Sequence, residues 1–281
     1  MERRPAVLVT GAGGQVGRAL GALLPGIRAA SHRDLDVTDP GAVAQAVSEA
    51  DHVVHLAALT NVDGCETEPQ RAHEINVTGT ENVVAAAARA RARVIFLSTD
   101  YVFDGRSTAP YSEEAPRSPL NVYGTTKAAA EDIVGAADGG LTIRTSWVFG
   151  EGHNFVASIL GAARRGSPLR VVDDQRGLPT PAEAVARAIA FAIDRGIEGI
   201  LHVAGDGPVV SWADLAHEAL ARAGLDVAVE RVSTDDYTAA SDKVIAPRPA
   251  FSALDLTKAK SLGVPLLDWR TALDGYVEGS R

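Results

Sequence analysis

The chain of 281 residues has one cysteine, Cys65, so neither an internal disulfide nor a multi-cysteine metal site is open to it. It also lacks excess positive charge. The net charge of −9 argues against a nucleic-acid binder that relies on a basic surface. No apolar run approaches the roughly 20 residues that cross a bilayer. Met1-Glu2-Arg3-Arg4-Pro5 leads straight into a strand-like run without the apolar core of a signal peptide, so the expected location is the cytoplasm. The seven histidines are scattered without a ligand cluster, and no metal is expected. Lysine is scarce, at 4 of 27 basic residues, which points to coding bias and not to mechanism. Internal repeats and low-complexity linkers are missing too. What remains is a 46% hydrophobic chain long enough for a large core.

Short apolar runs alternate with helical stretches from the start. Ala6–Thr10 reads as a buried parallel strand, followed by a helix from about Gly14 to Leu24 that stops at Pro25-Gly26. Ile27–Ser31 is a weak second strand, and Asp39-Pro40 opens a helix through Ala50. Strands over His52–Ala57, Arg93–Ser98 and Leu141–Ser146 bracket a long helix over Glu68–Ala90 and another over Val122–Ala137. The pattern predicts an α/β fold, a doubly wound parallel Rossmann sheet with a smaller α/β substrate lobe. The regularity breaks after Trp147 and resumes with a helix over Pro181–Arg195 and a strand over Gly199–Val203. Residues 1–146 plus 181–204 are therefore expected to form the dinucleotide domain, and 147–180 plus 205–281 the substrate-binding lobe.

Strand one runs into Gly11-Ala12-Gly13-Gly14-Gln15-Val16-Gly17. Glycine allows a tight turn and close backbone approach to a pyrophosphate, and the next helix offers free N–H groups to the negative charge. Gly11, Gly13, Gly14, Gln15 and Val16 are thus candidate cofactor residues. Arg33, just past strand two, suits a 2′-phosphate and favours NADPH, with NADH possible. Asp36 and Val37 follow as candidate adenine contacts. Tyr123 and Lys127 are four apart on a helix and share a face. A nearby ammonium is expected to lower the tyrosine pKa, so that the pair can protonate a carbonyl oxygen. Thr99, at the end of strand four, could hold the same oxygen.

These motifs resemble the extended branch of the short-chain dehydrogenase/reductases, and within it the dTDP-4-dehydrorhamnose reductase family. The resemblance runs through Gly14-Gln15-Val16-Gly17, Leu35-Asp36-Val37-Thr38-Asp39, Ala57-Ala58-Leu59-Thr60-Asn61-Val62-Asp63 with Glu66, and Asn76-Val77. It continues through Ser98–Gly105, Pro119–Lys127, Arg144–Phe149, Asn154-Phe155, Asp174–Gly177 with Pro179-Thr180, and Pro247-Arg248-Pro249 before Ser252. It implies that Tyr123 is the proton donor, that Lys127 also holds the nicotinamide ribose, and that Thr99 orients the substrate carbonyl. It further implies that Ala57, Ala58 and Thr60 line the cofactor channel. Asp100, Tyr101, Trp147 and Asn154 would lie near the sugar, and Arg248 would meet the nucleotide diphosphate. The implied reaction is NADPH-dependent reduction of the 4-keto group of a dTDP-4-keto-6-deoxy sugar, by a monomer or homodimer with no nucleic-acid or membrane partner. Some relatives hold a metal at a dimer interface through a glutamate two residues past the glycine turn. Ala19 stands there, so no such metal is expected. The alternative is a non-catalytic NADP-binding regulator resembling the regulatory subunit of methionine adenosyltransferase. A dehydratase would call for an acidic pair after the threonine, and Asp100 is followed by Tyr101.

Overall fold

The structure is a computed structural model and describes residues 5–279. Strands β1 (Val7–Thr10), β2 (Arg28–Ala30), β3 (His52–His55), β4 (Arg93–Thr99), β5 (Leu141–Thr145) and β6 (Gly199–His202) form one parallel sheet in the order β6-β5-β4-β3-β1-β2. Helix α1 (Gln15–Leu23) follows β1, and α2 (Pro40–Val47) follows β2. After β3 come α3 (Val62–Thr67), α4 (Pro69–His73), a π turn over Glu74–Thr78 and α5 (Gly79–Ala90). Helix α6 (Val122–Gly135) precedes β5, while α7 (Phe155–Arg164) and α8 (Ala182–Arg195) precede β6. Beyond the sheet lie α9 (Trp212–Ala223), α10 (Thr234–Ala239), α11 (Thr257–Ser261) and α12 (Trp269–Gly279).

Alternation along the strands sends side chains to both faces. Val7 and Val9 of β1 pack with Val16 and Leu20 of α1 and Val185 and Ile189 of α8. Leu8 points the other way and packs with Val43 of α2, Val83 of α5 and Val134 of α6. The sheet is thus covered on both sides, as a doubly wound Rossmann fold requires. A second apolar core joins Val156 and Leu160 of α7, Leu215 and Leu220 of α9, and Trp269 and Leu273 of α12. Beside it, Leu169–Val172 pairs in parallel with Val229–Val232.

Two departures from the sequence expectation matter for the site. The single helix expected over Glu68–Ala90 is broken: it begins at Pro69 and widens into the π turn before α5. There the buried Asn76 takes the amide of Leu59 at 2.7 Å on Oδ1 and donates from Nδ2 to the Leu59 carbonyl and to Thr126 Oγ1. The π turn thereby fixes the loop after β3. Helix α11, within the segment given to the substrate lobe, packs instead on the sheet. Ala259 and Val264 join the α1–α8 core, and Lys258 Nζ donates to the Ile200 carbonyl at 2.6 Å.

Candidate active site

The strand order reverses at β1, with β2 on one side and β3 on the other. Ligands of open α/β sheets bind outside the carboxyl ends of the strands at such a point. A cleft of about 510 Å³ lies there. Gly11, Gly13, Gly14, Gln15, Val16, Ala58, Thr60, Thr99, Asp100, Tyr101, Tyr123, Lys127 and Trp147 all line it.

The glycine turn is shaped by close backbone approach. Gly11 has φ +67°, and a Cβ there would stand 2.5 Å from the Ala57 amide nitrogen. A Cβ on Gly17 would stand 2.5 Å from the Ala12 Cα. Ala57 is therefore wall backbone behind the turn. Gly14 caps α1 without any side-chain hydrogen bond, so the first amides of that helix are left to an anionic group. Gln15 Oε1 is buried and has no partner. Below the turn, His55 joins Thr10 Oγ1 at 2.7 Å and Thr80 Oγ1 at 3.1 Å. Burial, then the Lys127 charge, push His55 down to about 3, so it is a neutral strut.

The candidate catalytic side chains reach the cleft by similarly local means. Asn121 caps α6, accepting from the Gly124 amide at 2.7 Å, and Glu66 Oε1 accepts from the Val122 amide at 2.7 Å. A Cβ on Gly124 would lie 2.2 Å from the Tyr101 carbonyl oxygen. Glycine after Tyr123 is what lets the start of α6 press against the turn after β4. That contact brings Tyr123 into the cleft that Thr99 also lines. The Tyr101 and Tyr123 rings meet edge to face at 6.0 Å.

The electrostatics differ from the expectation. Burial first, then the Asp100 charge, push the Tyr123 hydroxyl above its usual pKa, against the Thr99 hydrogen bond. The net direction is upward, opposite to the lowering expected from Lys127. The reason is that Lys127 is itself deeply buried and held down to about 7, with the Glu131 charge acting the other way. Its Nζ stands 3.8 Å from the centre of the Phe96 ring. Glu131, one turn further on, is buried with Arg144, which donates from Nε at 2.9 Å and Nη2 at 2.7 Å. Ser98 Oγ donates to the same carboxylate at 2.6 Å.

Trp147 holds a left-handed backbone, φ +45°, a conformation costing about 1–3 kcal/mol for a bulky residue. Its ring stacks on Trp212 at 3.6 Å and 7°. Gly177 leaves it room, since a Cβ there would lie 2.7 Å from Trp147 Cε2. Trp212 also lines a second cleft of about 420 Å³. Phe155, Arg170, Gln175, Tyr237 and Arg248 line that cleft. Trp212 escaped the sequence reading, where its only signal was an aromatic opening a helix. Thr145, opposite Thr99 across β4 and β5, was missed as well, and its buried Oγ1 has no partner.

Several expected site residues lie outside the lining of this cleft. Arg33 is exposed beyond β2, where its amide donates to Ser31 Oγ at 3.3 Å. Asp36 turns its carboxylate to the Thr38 amide and hydroxyl, which hold its pKa below the usual range. Val37 is buried against Gly79. Asn154, expected near the sugar, caps α7. Its Oδ1 accepts from the Ala157 amide at 2.9 Å, and its Nδ2 donates to Gly150 O, Gly152 O and Tyr276 Oη. Arg248 lines the second cleft but is already clasped, donating from Nη2 to both carboxylate oxygens of Asp63 at 2.8 and 3.0 Å.

No helix among the described residues is long and apolar enough to cross a membrane. The family model described as RmlD substrate binding domain matches residues 5–281. The dTDP-4-dehydrorhamnose reductase of Mycolicibacterium smegmatis is 38% identical over 96% of this chain and 84% of its own length. The spore coat polysaccharide biosynthesis protein SpsK of Bacillus subtilis is 36% identical over 97% of this chain and 96% of its own. Among solved structures, the dTDP-4-dehydrorhamnose reductase of Bacillus anthracis in complex with NADP superposes with a TM-score of 0.91 at 31% identity, covering 98% of this chain and 99% of that one. The chain belongs to the RmlD, or dTDP-4-dehydrorhamnose reductase, family of extended short-chain dehydrogenase/reductases.

Proposed function

We propose that this protein is an NADPH-dependent reductase of the 4-keto group of a dTDP-4-keto-6-deoxy sugar, with dTDP-4-dehydrorhamnose as substrate and dTDP-L-rhamnose as product. The observation that carries the reading is the convergence of Thr99, Tyr123 and Lys127 on the cleft that the glycine turn opens. The cleft suits a dinucleotide: Gly11 and Gly17 are kept bare by close backbone, the start of α1 is uncapped, and Gln15 Oε1 waits unpartnered. Gly13, Gly14 and Val16 would flank the pyrophosphate, Ala58 and Thr60 the far side of the channel, and Lys127 the nicotinamide ribose. Arg33 would reach the 2′-phosphate from outside, with Asp36 and Val37 by the adenine. When bound, the nicotinamide supplies a hydride.

The chain's own residues do the rest. Thr99 holds the carbonyl oxygen, and Tyr123 gives it a proton. Positioning supplies much of the rate. Trp147 and Tyr101 wall the sugar, and the nucleotide half extends past Trp212 into the second cleft. Arg170 and Arg248 are the cations of that cleft, where they would face the diphosphate. Residues 1–146 with 181–204 and α11 then serve the cofactor domain, and 147–180 with the rest of 205–281 the sugar nucleotide. The same reading places the enzyme in the cytoplasm as a monomer or homodimer, with no nucleic-acid or membrane partner.

The test is product analysis after incubation with dTDP-4-keto-L-rhamnose and NADPH or NADH. Formation of dTDP-L-rhamnose with loss of NADPH absorbance is expected. A wild type that binds NADPH but oxidises it with no keto-sugar nucleotide would instead be a regulator.

A further inference from the structure

We infer that Trp212 is a positioning residue for the reaction: together with Gly177 it forms the seat that holds Trp147 as a wall of the sugar site. This rests on the reductase reading. Trp147 stands two residues beyond β5 and lines the first cleft, half-buried. Its backbone is left-handed, with φ +45°. A bulky residue rarely adopts that conformation. It persists only where the surroundings dictate it, and such positions cluster at functional sites. The neighbours of Trp147 dictate it here.

A short antiparallel ribbon brings the seat together. Val210–Ser211 pairs with Arg176–Gly177, with Val210 opposite Gly177. Trp212 comes directly after that ribbon and opens α9. Its ring lies face to face with Trp147 at 3.6 Å and 7°. Aromatic pairs left to themselves prefer offset or edge-to-face arrangements. The sandwich is therefore imposed by what carries the two rings. Gly177 receives an edge of the same indole. A Cβ there would meet Trp147 Cε2, Nε1 and Cζ2 at 2.7, 2.9 and 3.0 Å. On the backbone, the Thr180 amide donates to the Trp147 carbonyl at 3.1 Å.

The seat itself is anchored in the second core. Ser211 caps α9, accepting from the Asp214 amide at 3.0 Å, while the Asp214 carboxylate accepts from the Ser211 amide at 3.1 Å. Ser211 Oγ also donates to Asp173 Oδ1 at 2.6 Å. Phe155 meets the Trp212 ring at 4.5 Å and 53°. Trp147, Phe155 and Trp212 all pack against the core of α7, α9 and α12. The wall of the sugar site is thus set by that core, while Tyr123 and Lys127 are set by α6. A sugar between the two is oriented only as well as the seat is held. Trp212 also lines the second cleft, so a direct hold on the nucleotide is the rival reading. Its flat face, however, is spent on Trp147.

The experiment compares wild type with Trp212→Leu, Trp212→Phe and Gly177→Ala, each alone and combined with Trp147→Ala. Kinetics use the keto-sugar nucleotide and NADPH, and titrations use dTDP and NADPH. Leucine keeps apolar bulk against the second core but has no flat face, whereas phenylalanine keeps the face. Trp212→Leu should lower kcat/KM about ten- to a hundredfold, because the sugar loses its orientation. Trp212→Phe should retain most of the activity. Gly177→Ala, whose new methyl presses on Trp147, should reproduce the loss seen in Trp212→Leu. In the Trp147→Ala background, Trp212→Leu or Gly177→Ala should cost less than about twofold more, since the three act as one unit. Affinities for dTDP and NADPH should stay within about twofold of wild type. Losses that multiply in the Trp147→Ala background overturn the seat. So does a loss of dTDP affinity that accounts for the kinetic loss, or an equal effect of leucine and phenylalanine. If Trp212→Leu does not fold, Gly177→Ala decides: wild-type kinetics there overturn the seat. An inactive wild type, by contrast, overturns the reductase reading itself.

Discussion

Lys127→Met separates what the site costs in stability from what it gives in function. Lys127 is 2% exposed, and burial holds its ammonium down to about 7 from the usual 10.5. Below the folded pKa the ammonium is charged in both the folded and the unfolded chain, and the folded chain bears the whole desolvation penalty. At about 1.36 kcal/mol per pKa unit, that penalty is at most about 5 kcal/mol. Between about 7 and 10.5 the unfolded chain binds more protons than the folded one, so wild-type stability rises with pH across that window. Methionine keeps the length of the side chain and removes the charge. It forfeits the contact with the Phe96 ring, worth about 0.5–2 kcal/mol, while the attraction of Glu131 is already contained in the net shift. The net expectation is a variant about 2 kcal/mol more stable than wild type below neutrality, with the advantage fading as the solution becomes alkaline. Urea unfolding of both proteins at mildly acidic, neutral and mildly alkaline pH measures it. A variant less stable than wild type in mild acid, or one that keeps the wild-type pH slope, refutes the burial argument. Turnover should meanwhile be lost, a stability gain bought with function.

Tyr123→Phe keeps the ring and its edge contact with Tyr101, so kcat should fall about 10²- to 10⁴-fold with KM and thermal stability little changed; steady-state kinetics and melting curves check this. Arg33→Ala should weaken NADPH binding by about 1.5–3 kcal/mol and leave NADH unaltered, as read by fluorescence titration; equal affinities for NADPH would make Arg33 a bystander. Arg248→Ala should raise KM for the sugar nucleotide and spare NADPH affinity. It should also destabilise the fold, since it leaves the Asp63 carboxylate without its clasp; loss of cofactor binding alone would refute the placement of Arg248 in the substrate lobe.

The residues proposed to carry the chemistry were legible because their geometry is local. Gly11 to Gly17 is one turn, Tyr123 and Lys127 are one helical turn apart, and Thr99 ends a strand that its apolar run marks out. Such spacing is preserved by any fold that makes the same helix or strand. What spacing does not encode is partners. Asp63 and Arg248 are 185 residues apart and meet only because α3 and the loop after α10 fold onto the same side of the cleft. Nothing in the chain singles out Asp63 among its 36 carboxylates as that partner. Asn154 looked like a sugar ligand because an Asn before an apolar helix and an Asn in a site look alike in sequence. Only the four hydrogen bonds it makes identify it as a cap. The Tyr123 pKa failed for a different reason. Tyr123 and Lys127 do line one cleft, but the effect of an ammonium depends on whether it is charged, and burial of Lys127 lowers its pKa against the pull of Glu131. Depth is a property of the packed sheet and not of the Tyr123–Lys127 interval. The same depth that weakens Lys127 as a cation raises Asp100 as an acid.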